Sequence, residues 1–335
     1  MRCNDEAQSV ILVSGATGFM GSAIARHLMA GGMSVRAMGR SAKKTERVLT
    51  GFPEGRAAAA EGRLSFVAAD VTQPETLTSA VEGVDCIIQA AQFPGAPVEN
   101  PARGLTYANV DRNGTINLLN AVESVFAAET GGTAGKRYPA DAPRFFYLSG
   151  VTVSETAPEG WNRAKWQAEE AIRGSGLPWT IVRASWTYGA GDRSLNRLIG
   201  FSDYLPFVPV FGNGEEKVTP LYVEDVGRFF AHAVERPEAS KDMTFALGGP
   251  EVLTMNQIMR TALDVMGKRR LLFHIPKRVG KAQAALLQFL PGRPLTPDAI
   301  DFITQGGVAE NSNTAKRFPD FEAMELREAL TIYLS

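Results

Sequence analysis

Residues 10–21 read VILVSGATGFMG. An apolar run that stops at a turn with glycines at 15, 18 and 21 is the pattern of a buried strand feeding a glycine-rich loop and then a helix. This is the layout by which the first βαβ unit of a doubly wound sheet holds a dinucleotide pyrophosphate. Gly15 permits the tight turn, Gly18 lets the backbone approach the phosphates, and Gly21 lets the new helix pack on the strand. Unpaired amides at the helix N-terminus face the anion. The loop contacts predicted for a nucleotide are therefore Gly15, Thr17, Gly18, Phe19, Met20 and Gly21. The competing reading is a strand-to-helix turn whose glycines serve packing alone. Ile24, Ala25, Leu28 and Met29 recur at helical spacing until Gly31-Gly32 ends the helix.

Working outward, strands read at Ser34 to Met38, Leu64 to Ala69 and Val84 to Ala90, separated by helix-compatible segments such as Pro74 to Val81. Strands alternating with helices imply a parallel sheet covered on both faces. A long helix from about Leu105 to Ala127 leads through a Gly/Ala-rich insert at 129 to 142 into a strand at Phe145 to Leu148, and GFPEGRAAAAEGR at 51 to 63 reads as a solvent-exposed insertion. A helix at Trp161 to Arg173 and a strand at Trp179 to Ala184 follow. Beyond Trp186 the alternation fades into Gly/Pro-punctuated sequence, interrupted by a helix at Glu224 to Val234. The fold class expected is α/β, a doubly wound parallel sheet (Rossmann fold) with a smaller interleaved C-terminal substrate lobe. Residues 8–186, with 218–236 returning, form the dinucleotide-binding domain, and 187–217 with 237–335 form the lobe.

Composition narrows the function classes. The 335 residues are 44% hydrophobic and carry 35 basic against 36 acidic side chains, so no global field points to nucleic acid. Two cysteines, Cys3 and Cys86, fit a reducing compartment and no disulfide framework, and three histidines without ligand spacing give no metal site. The polar start MRCNDEAQS is unlike a signal peptide, and no stretch approaches the ~20 apolar residues of a spanning helix. The expected location is the cytoplasm.

With these residues in view, the chain resembles the short-chain dehydrogenase/reductase superfamily in its extended, atypical branch. The resemblance runs through GATGFMG at 15–21, QAAQ at 89–92, YANVDRNGTINLLNAV at 107–122, FFYLSG at 145–150, AKWQAEEAI at 164–172, SGLPWTIVRASWTYG at 175–189 and VTPLYVEDVGRFF at 218–230. Within that branch it looks most like bacterial relatives of the nucleotide-binding accessory subunit of respiratory complex I, a group to which LPGRPLTPDAIDFITQGGV at 290–308 is also similar. The resemblance implies that Asp70 with Val71 holds the adenine, against a plain strand-end turn carboxylate. It implies that Ala90 and Ala91 let the cofactor pass, against core packing, and that backbone at Ala184 and Ser185 lies near the nicotinamide carboxamide. It also implies that Lys165 meets the nicotinamide ribose, against an exposed helix lysine. Arg40 follows the second strand, where an NAD-preferring fold places an acid about 20 residues past the glycines. Arg40, with Arg36, Lys43 or Lys44 nearby, faces a 2′-phosphate on this reading, so NADP is favoured over NAD. A solvated basic turn is the alternative.

Two expected catalytic side chains are changed. The family places a tyrosine four residues before the lysine to donate a proton to a substrate carbonyl. Here that residue is Trp161, and none of the seven tyrosines has a lysine four positions on. The family's strand serine or threonine aligns with Gly150, flanked by Ser149 and Thr152. Lys165, Thr152, Ser149 and Trp161 are the candidate catalytic residues. Two functions stay open: an NADP-dependent oxidoreductase with a rebuilt proton relay on an apolar, quinone- or isoprenoid-like substrate, or a non-catalytic nucleotide-binding accessory, assembly or redox-sensing protein. Phe93, Trp161, Trp186, Tyr204, Phe207 and Phe211 suggest an aromatic wall for the first. PKRVGKAQAALLQFL at 276–290 places Val279, Ala282, Leu286 and Phe289 on one helical face with Lys277, Arg278 and Lys281 near its start, a pattern open to peripheral membrane contact or to packing on its own domain.

Overall fold

Strand β1, Val10–Ser14, is apolar on both faces because both are covered, and it sits inside a seven-stranded sheet. The computed structural model describes residues 9–94, 99–130, 142–157, 160–287, 297, 300, 301 and 304–334. The other strands are β2 (Ser34–Gly39), β3 (Leu64–Ala68), β4 (Cys86–Gln89), β5 (Arg144–Gly150), β6 (Trp179–Ala184) and β7 (Met243–Leu247). Every pairing is parallel, in the order β7-β6-β5-β4-β1-β2-β3. The chain winds outward one way from β1 and then the other, which puts a crevice at the C-terminal end of β1 and β4. The doubly wound α/β fold read from the sequence is the fold observed.

Helices α1 (Phe19–Ala30), α2 (Ala42–Leu49) and α3 (Pro53–Ala60) follow the first strands, and Gly114–Thr130 (α4) and Trp161–Gly174 (α5) follow later ones. One core layer joins Ile11, Val13 and Phe146 to Ile24, Leu28, Phe229 and Phe230. The other joins Leu12, Ile87, Phe145 and Tyr147 to Leu118, Val122, Ala168 and Ile172. A third cluster, around Tyr188, Val208, Val210, Ile258 and Leu330, draws mainly on the residues expected to form the lobe.

Three sequence readings change. Residues 51–63 are not an exposed insertion. Pro53 starts α3, and Gly55 and Ala58 are buried against the neighbouring turn and α1. An alanine run with proline at its first turn is a good helix, and Ala58 supplies the small contact that lets it dock. Strand β7, within the stretch given to the lobe, is an edge of the main sheet beside β6. Arg36 is turned away from the crevice: its guanidinium donates to the carbonyls of Ala80 and Glu82, because alternation along β2 sends it to the α4 face with Met38. Most of the 129–142 insert and residues 288–296 lie outside the described residues. Among the described residues, no helix is long and apolar enough to cross a membrane.

A Cβ on Gly55 would lie 2.1 Å from the Leu49 carbonyl oxygen. Alanine for glycine inside a helix ordinarily stabilises, so the sign is diagnostic. Gly55→Ala is expected to destabilise by about 1–3 kcal/mol in urea unfolding through overpacking, and a stabilising result would mean that α3 is undocked.

Candidate functional site

Three backbones converge at the end of β1. Gly15 has φ +66°, and a Cβ there would lie 2.7 Å from Ala91 Cα and 2.9 Å from the Ala90 carbonyl. A Cβ on Gly21 would lie 2.3 Å from the Gly15 carbonyl oxygen. The Ser14 hydroxyl holds this junction by accepting the Ala90 and Ala91 amides at 3.1 and 3.2 Å while donating to the buried Gln89 side chain. Gly18 caps α1 with no side chain on the first-turn amides and no acid in that turn. Those amides, among Phe19, Met20 and Gly21, present unshielded positive charge at the crevice. This cradle fits a nucleotide pyrophosphate, which would rest on Gly15, Thr17, Gly18 and the start of α1.

Arg40 stands exposed one residue beyond β2, beside the cradle: Gly39 lies near the Thr17 methyl, and Ala16 donates to the Met38 carbonyl at 3.3 Å. Lys43 and Lys44 are exposed in the first turn of α2, which Ser41 caps. Asp70 makes a turn: its Oδ1 accepts the Thr72 amide at 2.9 Å and the Thr72 hydroxyl at 2.8 Å. Val71 is buried against Gly114, where the chain enters α4.

The hydroxyls expected to act on substrate are engaged by other side chains. Ser149 donates at 2.6 Å to the buried carboxylate of Glu169, which also receives Arg173 and Arg183. Thr152 donates to Asn162 at 2.8 Å. Ser185 gives its amide to Leu247 and its hydroxyl to the Gly307 carbonyl at 3.1 Å, and the Ala184 carbonyl accepts from Val151. Trp161 and Gly150 do meet, because a Cβ on Gly150 would lie 2.3 Å from Trp161 Cη2. The two departures are thus one exchange, in which the indole occupies the space that a strand serine would need.

Lys165 is fully buried beneath this indole. Its Nζ donates to the Leu148 carbonyl at 2.9 Å and the Tyr147 hydroxyl at 3.3 Å, and lies 3.5 Å from Asp111 Oδ1. Asp111 sits in a π-helical turn, Ala108–Asn113, just before α4. Its Oδ2 accepts the Phe93 amide at 3.0 Å. Burial pushes the Asp111 carboxyl up and the Lys165 ammonium down, each offset by the other's charge. Tyr147 is pushed up by burial and then by Asp111 and Glu169. Sequence reasoning quoted Asp111 and Glu169 inside matching runs without giving them a role. An acid amid apolar positions of a packed helix, as in YANVDRNG and QAEEAI, was the available signal.

The predicted aromatic wall divides. Phe93 packs edge-on to Tyr107, Phe207 lies against Phe273, and Tyr204 is on the surface of the lobe. Phe211 is buried in the lobe core, against Gly280. Instead, residues 305–309 of the lobe lie against the ends of β5 and β6. Gly307 has φ +151°, and a Cβ there would lie 3.2 and 3.3 Å from the Val151 and Thr152 methyls, while Asn162 donates to Gln305 at 3.4 Å. Among the described residues, no cluster of His, Cys, Asp and Glu is arranged to hold a metal.

Residues 11–248 match the NAD dependent epimerase/dehydratase family, and the chain belongs to it. It is 29% identical over 188 residues to NADH dehydrogenase [ubiquinone] 1 alpha subcomplex subunit 9, mitochondrial, of Arabidopsis thaliana, covering 53% of this chain and 46% of that protein. The chain thus spans under half the length of that relative. The Dictyostelium discoideum protein of the same name is 24% identical over 95% of this chain and 76% of its own length. Ceramide reductase of Caulobacter vibrioides is 26% identical over 81% of this chain and 75% of its own length. Among solved structures, NADPH-dependent quinone oxidoreductase QOR2 with NADPH from Escherichia coli superposes with TM-score 0.69 at 17% identity, over 96% of this chain and 99% of that one. UDP-glucuronic acid 4-epimerase from Bacillus cereus superposes with TM-score 0.68 at 19% identity, over 96% of each chain. These likenesses give a nucleotide-binding fold.

Gly150→Ser is expected to destabilise by about 1–3 kcal/mol through overpacking. Adding Trp161→Tyr should recover at least about half of that loss, a coupling that a double-mutant cycle in denaturant measures; additive losses would separate the two positions. Asp111→Asn is expected to cost about 3–5 kcal/mol by leaving Lys165 unpaired, with most of it regained in Asp111→Leu/Lys165→Met. Equal losses in the single and double variants would count against a buried ion pair.

Proposed function

We propose that this chain holds NADP(H) as a bound nucleotide in a non-catalytic accessory, assembly or redox-sensing role. The observation that carries the reading is the Trp161 indole seated over Gly150, within 2.3 Å of where a side chain would begin. An indole N–H donates a hydrogen bond but does not transfer its proton at neutral pH. The neighbouring hydroxyls support it too: Ser149 is turned to Glu169, and Thr152 to Asn162. Lys165, matched by a buried acid, has its charge satisfied within the protein. Relatives named as subunits of NADH dehydrogenase accord with this role.

In this reading the pyrophosphate rests on the α1 amides, the adenine lies by Asp70 and Val71, and Ala90 and Ala91 leave room for the dinucleotide. Arg40, with Lys43 and Lys44, takes the 2′-phosphate, and the absence of an acid at the end of β2 favours NADP over NAD. Backbone near Ala184 and Ser185 borders the nicotinamide end. The location read from the two cysteines is a reducing compartment such as the cytoplasm.

The second reading is an NADP-dependent oxidoreductase acting on an apolar, quinone- or isoprenoid-like compound through a rebuilt relay. The match to a protein named ceramide reductase over 81% of this chain favours it. Cofactor fluorescence with a panel of short-chain quinones separates the two. The accessory role predicts stoichiometric NADPH binding without consumption, whereas steady turnover abolished by Thr152→Val would overturn it. Arg40→Glu is expected to weaken NADPH about tenfold and to change NADH less than about threefold, since only the former carries the 2′-phosphate. Equal effects would remove Arg40 from nucleotide choice.

A further inference from the structure

The smaller lobe contains a two-stranded parallel sheet in which Phe207–Phe211 runs beside Leu271–Ile275, registered Phe207 to Leu271 and Phe211 to Ile275. Side chains alternate across it: Val208 and Val210 enter the lobe core, and Phe207 shares the other face with Leu271 and Phe273, a face on which Pro209 and Phe211 are themselves buried. The helix Lys277–Leu287 covers only one end of that face: a Cβ on its Gly280 would lie 2.9 Å from the Phe211 ring. At the other end Leu271 is 77% exposed and Phe273 55% exposed, with the Phe207 ring tilted against the latter. Tyr204, just before this strand pair, is 88% exposed. The helix turns Val279, Ala282 and Leu286 of the stripe read from the sequence outward, and Phe289 lies outside the described residues.

Positive charge lies beside this apolar surface. A cleft of about 620 Å³ is lined by Leu271 together with Arg260, Lys268, Arg269, Arg270 and Arg327, against the lone acid Asp264. Arg327 pairs with Asp264 and Lys268 with Asp203, and Lys277 and Lys281 share Asp301. Arg260, Arg269 and Arg278 have no carboxylate partner among the described residues. The 33 residues from Val265 to Pro297 include seven Lys and Arg and no acid, in a chain with 35 basic and 36 acidic residues.

We propose that this face of the lobe docks on the surface of an anionic phospholipid membrane. Leu271, Phe273, Tyr204 and the outer stripe of Lys277–Leu287 enter the headgroup and acyl boundary, and Arg260, Arg269 and Arg278 meet the phosphates. Apolar side chains rimmed by cations with few acids match a surface that is greasy below and negative above. A second copy of the chain would bring the same positive cleft and repel it. The inference is independent of the role of the nucleotide.

Co-sedimentation of the full chain with vesicles tests it. Binding to phosphatidylcholine vesicles containing phosphatidylserine, weakened by salt and weak on pure phosphatidylcholine, is expected. Leu271→Asp/Phe273→Asp and Arg269→Glu/Arg278→Glu should each reduce binding at least about tenfold. Both pairs lie on the surface, so melting temperature and NADPH binding should stay at wild-type values. No vesicle binding, equal binding to both lipids, or variants that bind like wild type would overturn the proposal. A dimer in sedimentation velocity that Phe273→Asp abolishes would also overturn it, by assigning the face to self-association.

Discussion

The crossing of backbones at Gly15, Gly21 and Ala90-Ala91 is the constraint on which the rest of the structure depends. Side chains at the two glycines would overlap main-chain atoms at 2.7 and 2.3 Å, so neither strand end nor helix could keep its place. Because backbone meets backbone there, α1 begins directly above the crevice with its first amides uncovered. The nucleotide cradle is a by-product of close packing. From this junction a polar chain runs inward: Ser14 to Gln89, Gln89 to Thr115 at 3.1 Å, and Thr115 to the Asp111 carbonyl at 2.7 Å. Asp111 then faces Lys165 at 3.5 Å. Four elements of the sheet and its helices are thus tied beneath the site by groups that are costly to leave unpaired.

That buried chain explains how cofactor binding and chemistry can come apart. The cradle depends on backbone geometry at the end of β1, which is indifferent to what stands at the end of β5. The reacting positions depend on side chains that only substrate chemistry requires. Gly150 and Trp161 fit one another, the indole filling the space above the glycine, so packing is retained at the end of β5 whatever chemistry the site supports. Lys165, a fully buried cation, is balanced by Asp111 at 3.5 Å.

The doubly wound class, the parallel sense of the sheet and the glycine turn were legible because each rests on local pattern: runs such as ILV at 11–13 and CIIQ at 86–89 between helical segments. The docking of α3 was not legible, since the alanine run carries no amphipathic signal and its burial comes from distant α1. Arg36 was misplaced for a similar reason. Its position after the glycines was read, but the face to which β2 alternation sends it was not. In the site, Trp161 and Gly150 were each seen as departures, yet their contact needs the relative placement of β5 and α5, which no linear spacing encodes. The aromatic residues showed the reverse error, where six rings near in expectation were divided between two cores and a surface.

Charge teaches the same lesson at the scale of the whole chain. A formal balance of −1 excludes a field acting at long range, because such a field sums over all groups. It does not constrain a patch, since charges separated by more than about 8 Å are screened from each other at physiological salt. Asp203 and Asp301 pair with Lys268, Lys277 and Lys281 of residues 265–297, while other acids in the sum, such as α1-facing Glu224 and buried Asp111 and Glu169, lie elsewhere on the fold. Those carboxylates are already held by Arg26, Lys165 and Arg183 within the sheet domain. Acids held within the sheet domain do not reach the lobe, where Arg260, Arg269 and Arg278 are left without a carboxylate partner among the described residues.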